Sequence, residues 1–244
     1  MSPAKLITAL IAAALAMAAA ISLGNWQMRR GDAKLALQAQ ADEVARASPI
    51  EIAPTLSAIE AAAGRVPQKV RADGVFDPAG TVYLDNRMLD GVAGYYVITP
   101  LLMGEGLPAV LIDRGWKARD MQDRTRVSAA TLPSGRVSVE GLAVPRPSAL
   151  FELGDKGEQR VPGIWQNLDY AAYEQATGRK VARFVIQQRA DGQGGNAGDG
   201  LRREWPRPAS GVEKHRGYAF QWYSLAVLIA ALVVYFGWKS WRAR

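Results

Sequence analysis

Two stretches of this chain carry no charged residue, and they bracket everything else. One runs from Leu6 to Leu23 (LITALIAAALAMAAAISL) and the other from Tyr218 to Trp238 (YAFQWYSLAVLIAALVVYFGW). A helix needs roughly 17–25 apolar residues, at about 1.5 Å rise each, to cross the hydrocarbon core of a bilayer. The chain is therefore expected to place residues 6–23 and 218–238 in lipid and residues 32–207 in water. The first run offers small residues where a signal peptidase could cut (Ala14, Ala16, Ala18, Ala20), but it exceeds the usual signal core of roughly 7–15 residues. It reads as an uncleaved anchor. The second run ends in Lys239, Arg242 and Arg244 and carries Trp222, Tyr223, Tyr235, Trp238 and Trp241 as interfacial aromatics.

Two spans put both termini on one side of the membrane. Charge bias does not choose the side, because Lys5 and the C-terminal cations oppose Arg29, Arg30, Lys34, Lys214 and Arg216. Long domains also translocate largely regardless of charge.

The chain has no cysteine, which excludes disulfides, thiolate–zinc and iron–sulfur sites, and covalent haem attachment through C-x-x-C-H. It has a single histidine, His215, at the edge of the second apolar run. A histidine-dependent triad in the water-facing domain is thereby excluded. Acid pairs such as Asp85 and Asp90 read as turn residues, and no enzymatic constellation emerges. The net charge of +7 comes without a basic–aromatic repeat or a helix-turn-helix pattern. Attraction to anionic membrane lipid explains it better than nucleic acid does.

Between the spans, Asp32–Ala47 reads as a helix with Asp32 as N-cap and Ser48-Pro49 as its stop. Pro54–Ala63 reads as a shorter helix closed by Gly64. β-branched and aromatic runs follow at Val70–Phe76, Thr81–Asn86, Tyr95–Leu102, Ala109–Trp116 and Val137–Val144, divided by Gly, Pro and Asp. A helix at Asp169–Thr177 and a strand at Ala182–Gln188 complete the domain. The expected fold is α+β, a mostly antiparallel sheet or small barrel with peripheral helices, flanked by two transmembrane helices. Residues 190–211 read as a flexible Gly/Pro-rich loop without a phosphate-cradling pattern.

Three separated motifs resemble the surfeit-locus-1 family of cytochrome c oxidase assembly factors. The first is Leu23-Gly24-Asn25-Trp26-Gln27-Met28-Arg29-Arg30, similar to L-G-x-W-Q-x-x-R. The second comprises Asn86-Arg87, Gly94-Tyr95 with Thr99-Pro100-Leu101, and Val110 to Trp116 (VLIDRGW). The third is Trp205-Pro206-x-Pro208 followed by His215-Arg216-Gly217-Tyr218-Ala219-Phe220-Gln221-Trp222, similar to H-x-x-Y-A-x-x-W. The resemblance implies a bacterial inner-membrane protein with cytoplasmic termini and a periplasmic domain. It also implies transient binding of haem a and help with its insertion into the haem-bearing subunit of an aa3-type oxidase. Partners would be that subunit, membrane lipid and possible haem a synthesis enzymes. The alternative is a haem-free scaffold that stabilises an oxidase assembly intermediate.

Helical spacing puts His215, Tyr218, Ala219 and Trp222 on one face. A neutral imidazole at the lipid–water boundary suits haem iron; Tyr218 and Trp222 would flank the macrocycle, and Ala219 would leave room for it. An interfacial anchor is the competing role for the same histidine. Gln27, Arg30 and Lys34 share a face of the first helix, where they could meet haem propionates or merely lipid phosphates. Gly24 is a candidate for close approach of the two spans. Asn86-Arg87, Tyr95 and Arg114-Gly115-Trp116 read as sheet architecture, with a docking surface for the oxidase subunit as the alternative.

Overall fold

The computed structural model of the protein describes residues 3–120, 122, 123, 127, 130–148, 163–190, 199–205 and 211–242. The chain forms two compact units. One comprises Met1–Glu43 with Pro206–Arg244, and the other is Val44–Trp205.

The first unit is helical. α1 runs from Pro3 to Arg46 and α4 from Val212 to Arg242, 44 and 31 residues. Both are long and apolar enough to cross a membrane. At about 1.5 Å per residue, α1 is roughly twice as long as a hydrocarbon core is thick. The break expected at Asp32 is absent. Gly31 costs a helix only about 1 kcal/mol, whereas a new helix would have to be nucleated again. DAKLALQAQADEVAR contains no proline to stop propagation, and the helix ends just before Ser48-Pro49.

The second unit is a sheet with small helices on it. Its strands are β1 (Ile50–Ile52), β2 (Gln68–Phe76), β3 (Val82–Leu89), β4 (Val92–Leu102), β5 (Ala109–Ala118), β6 (Arg136–Val144), β7 (Ile164–Trp165) and β8 (Val181–Gln188). They lie in the order β1-β2-β6-β8-β5-β4-β3-β7, and a further β2–β4 pairing closes β2, β6, β8, β5 and β4 into a small barrel. Antiparallel pairings predominate; β1–β2, β3–β7 and β5–β8 are parallel. β4 and β5 each contain eight consecutive buried residues, so both of their faces are covered, as their apolar runs require.

One face carries Val70, Phe76, Leu101, Ile112, Phe184 and Ile186 with Ile59 and Ala62 of α2 (Leu56–Ala63). The other carries Leu84, Ile98, Leu111, Trp165 and Val185 with Tyr173 of α3 (Tyr170–Thr177). Thr55 caps α2 by accepting from the Ala58 amide, and Asp169 caps α3 by accepting from Ala172. α2 thus begins one residue after Thr55 rather than at Pro54, and Gly178 at φ 67° closes α3 in the left-handed region.

Asp90-Gly91 joins β3 to β4 with positive φ at both residues (50° and 78°), the tight hairpin turn that Asp-Gly favours. Part of the segment read as a flexible loop is ordered. Arg202 exchanges both backbone hydrogen bonds with Trp116 of β5, and Asp199 and Leu201 are buried. The glycine run at 191–198 and Pro206–Ser210 lie outside the described residues.

Candidate functional site

In the helical unit, the inward positions of α1 are Ala13, Met17, Ala20, Gly24, Gln27 and Gly31; those of α4 are Val212, His215, Ala219, Trp222, Ala226 and Ile229. Alternating steps of three and four make a two-helix seam. Small residues keep it close, with Ala20, Ala219 and Ala226 all buried. A Cβ on Gly24 would stand 2.5 Å from Cε1 of Tyr223, so only glycine admits that ring. A Cβ on Gly31 would rest 3.6 Å from the Cβ of His215. The contacts run in opposite chain directions, and the pair is antiparallel.

Each flank of the seam is closed by one polar bond. On one flank Tyr223 donates its hydroxyl to Asn25 Oδ1 at 2.7 Å. On the other, His215 Nδ1 lies 2.7 Å from Gln27 Oε1. The carbonyl oxygen of Gln27 can only accept, so Nδ1 is the donor in this bond, and the tautomer that makes it has its lone pair on Nε2. Among the described residues no hydrogen bond engages Nε2.

Tyr218 and Trp222 follow His215 at i+3 and i+7, and Arg30 and Lys34 follow Gln27 with the same spacing. The histidine–glutamine bond therefore joins two strips on one side of the helix pair. Along them Tyr218 is 53% exposed and Trp222 half-buried. Arg30 is exposed with its guanidinium 5.7 Å from the Trp26 ring centre. Lys34 Nζ comes within 3.4 Å of where a Cβ on Gly211 would stand, beside the start of α4. Ala219 does not leave room for a ligand beside His215: it is buried in the seam, because the step of four residues rotates it towards α1.

The polar residues of the sheet unit are arranged differently. Asn86, at φ 60°, is the extra residue of a bulge between Leu84 and Arg87 in β3. The bulge shifts the in–out alternation by one and turns Arg87 inward. There the guanidinium donates to the Ser148 and Gln166 carbonyls at 2.7 and 2.8 Å and lies over the Tyr96 ring. The Trp116 indole N–H donates to the Arg87 carbonyl at 2.7 Å. Asp113 is fully buried, and neither carboxylate oxygen accepts a hydrogen bond of good geometry. Burial raises its pKa well above the usual carboxylate range, while Arg87 and the Gly115 amide pull the other way.

Arg114 donates to the Thr131 carbonyl at 2.6 Å and to Asp199 at 3.2 Å, and Asp199 is shared with Arg203. These three side chains are at most 5% exposed. Asn86 alone among the middle motif's polar residues faces solvent. Arg87, Tyr95, Arg114 and Trp116 are buried and form sheet architecture rather than a docking surface.

The sequence model of the SURF1 family matches residues 14–227, which include the sheet unit and part of each span. The chain belongs to the SURF1 family. A SURF1-like protein of Dictyostelium discoideum is 30% identical over 117 residues, covering 46% of this chain and 43% of that protein. The chain thus spans under half the length of this curated relative. The SURF1 match brackets the two clusters described above: Gln27 and His215 at the seam, and Arg87, Asp113 and Trp116 in the sheet.

Sequence reasoning found the seam residues but missed Asn25 and Tyr223 as partners. It also missed Asp199 and Arg203, whose packing against β5 carries no local periodicity. The metal-ligating types His, Asp and Glu form no cluster of three or more among the described residues. His215 is the residue that could hold a metal, within a cofactor that supplies the remaining ligands.

Proposed function

We propose that this SURF1-family chain is a two-pass membrane assembly factor for an aa3-type cytochrome c oxidase, with cytoplasmic termini and a periplasmic sheet domain. It binds haem a transiently beside the helix seam and helps insert it into the haem-bearing subunit. Family membership supports the role in oxidase assembly. The observation that carries the haem reading is the 2.7 Å bond between His215 Nδ1 and Gln27 Oε1, which leaves Nε2 free to ligate.

The residues fit the group. A neutral imidazole nitrogen suits haem iron, Tyr218 and Trp222 offer aromatic surface for a macrocycle, and Arg30 and Lys34 offer cations for two propionates. Haem a supplies an iron that takes axial ligands and, with its long apolar tail and acidic edge, suits a lipid–water boundary. The chain's own part would be to hold it, with His215 as the iron ligand, Gln27 behind the imidazole ring, and Arg30 and Lys34 towards the propionates. No bond in the protein is made or broken, so the activity is carriage rather than catalysis.

The test is His215→Ala in the full chain, purified from cells that make haem a. Haem retention should fall at least tenfold, while insertion and folding stay intact, because a half-buried side chain at a helix start contributes little to the core. Trp222→Ala should have a smaller effect through lost ring packing. Arg30→Ala should have the smallest, since a water-exposed ion pair contributes little. Unchanged haem content in His215→Ala would leave the haem-free scaffold as the function. Alkaline phosphatase inserted after Gly194 should be active if the sheet domain is periplasmic, and inactivity would reverse the topology.

A further inference from the structure

We propose that Gln27 is a positioning residue for His215: it selects the imidazole tautomer and aims the other ring nitrogen. The second use of the site, ligation of haem iron, rests on the function proposed above; the tautomer itself does not.

The geometry is restrictive on both sides. The backbone of Gln27 lies within an unbroken helix, and its side chain occupies a seam position between Gly24 and Gly31, both of which face α4. The Cβ of His215 is held by the α4 backbone opposite Gly31. With Cβ fixed and Nδ1 bonded, the ring cannot turn about χ2 without breaking the bond. The two nitrogens diverge across the ring, so Nε2 is carried away from α1 and out of the seam. A hydrogen-bond acceptor on one imidazole nitrogen fixes the tautomer and raises the donor strength of the other.

Proximity to Arg30 invites a different role, the amide of Gln27 turned to a propionate. Such a contact would fall to the side-chain NH2 of Gln27, because its carbonyl faces His215 Nδ1 at 2.7 Å and two acceptors do not pair; it would leave the bond to His215 in place. The cationic work on this strip falls to Arg30 and Lys34. Asn25 supplies a control, since it makes an equivalent bond to Tyr223 on the opposite flank and does not touch His215.

The experiment uses full-length protein, labelled with 15N at histidine and reconstituted in lipid nanodiscs without haem. The chain has one histidine, so the spectrum reports His215 alone. The expected spectrum shows a protonated Nδ1 and a bare Nε2. Gln27→Leu, close in size and unable to accept, should lose that tautomer; Gln27→Glu, which still accepts, should keep it; Asn25→Leu should leave it unchanged. A bare Nδ1 in the unsubstituted protein, or an identical tautomer in Gln27→Leu, overturns the proposal.

A second measurement titrates the same variants with ferric haem. Loss of an orienting partner typically costs 10–100-fold in metal affinity, so Gln27→Leu should weaken binding at least tenfold. Gln27→Glu should bind and move the Soret band, because an anionic partner pushes electron density through the ring. The two readouts separate the two claims. The predicted tautomer without haem binding by the unsubstituted protein would refute the haem reading and leave the positioning role standing.

Discussion

The sheet unit and the helix pair each hold signature residues of the SURF1 family, yet they treat them in opposite ways. Arg87, Arg114 and Trp116 are turned inward, donating from their guanidinium NH2 groups and indole N–H to backbone carbonyls and to Asp199. Gln27, His215, Tyr218 and Trp222 sit on the rim of a two-helix seam, with one hydrogen bond among them and surface to spare. An arginine in a recurring motif suggests recognition of a ligand, and in the sheet it is a structural strut. The feature that separates chemistry from architecture is what each polar atom already touches.

The largest expected effect tests that contrast directly. Asp199→Ala would leave Arg114 and Arg203 buried against each other without their shared carboxylate. Stranding a buried charge in this way costs about 3–5 kcal/mol. Denaturant unfolding of the full chain in detergent should therefore show a severe loss, while His215→Ala, which removes one interhelical bond and a half-buried ring, should lose only about 1 kcal/mol. Equal losses for the two would erase the distinction between strut and site.

Next in size is Gly24→Leu. The new side chain has nowhere to go but into the Tyr223 ring, and overpacking of this kind costs roughly 1–3 kcal/mol. Cysteines at Gly31 and Val212 report on it, because the chain has none of its own. Their cross-linking in membranes should slow markedly in the Gly24→Leu background, and an unaltered rate would mean that the helices do not pack there.

A smaller effect of opposite sign is expected at Asp113. Its pKa is raised by burial, so the folded state holds that proton more tightly than the unfolded chain does. Stability from this group is complete below the unfolded value of about 3.9 and declines as pH rises towards the folded value. Asp113→Asn should accordingly stabilise the sheet unit at neutral pH and leave it unchanged near pH 3. Thermal melts across that range provide the check, and parallel curves for the two proteins would refute it.

Least of all, Tyr223→Phe removes one interhelical bond. Losses for such bonds in membranes average about 0.6 kcal/mol, detectable as a modest change in the same cross-linking rate.

Much of the fold was legible because its signals are local. Six strands of the sheet begin and end within a few residues of where their runs in the sequence do, and the apolar ends mark the two long helices. β1 and β7 are too short to show a period. Gly31-Asp32 imitates a helix boundary, yet α1 runs through it, with the glycine facing His215. Asn86 gave no sign that it would bulge the strand and reverse the facing of Arg87. Asp199 looked like the tail of a glycine-rich linker because its partner, Arg114, is 85 residues earlier. At the site, helical spacing grouped His215 with Tyr218 and Trp222 correctly, but it could not reveal which of them α1 would cover. That depends on the register of two antiparallel helices, and it is why Ala219 went to the seam.

The two members of the central hydrogen bond also differ in where they lie along their helices. Gln27 is near the middle of a 44-residue ladder, with several turns on either side. His215 is in the first turn of α4, its amide held only by the Gly211 carbonyl at 3.4 Å. Opening free energies approach zero at fraying helix ends and rise towards the global value inside. Amide exchange should accordingly run orders of magnitude faster at His215 than at Gln27. Unwinding a single turn of α4 would release the imidazole, whereas releasing its acceptor would require the helix to open on both sides of Gln27.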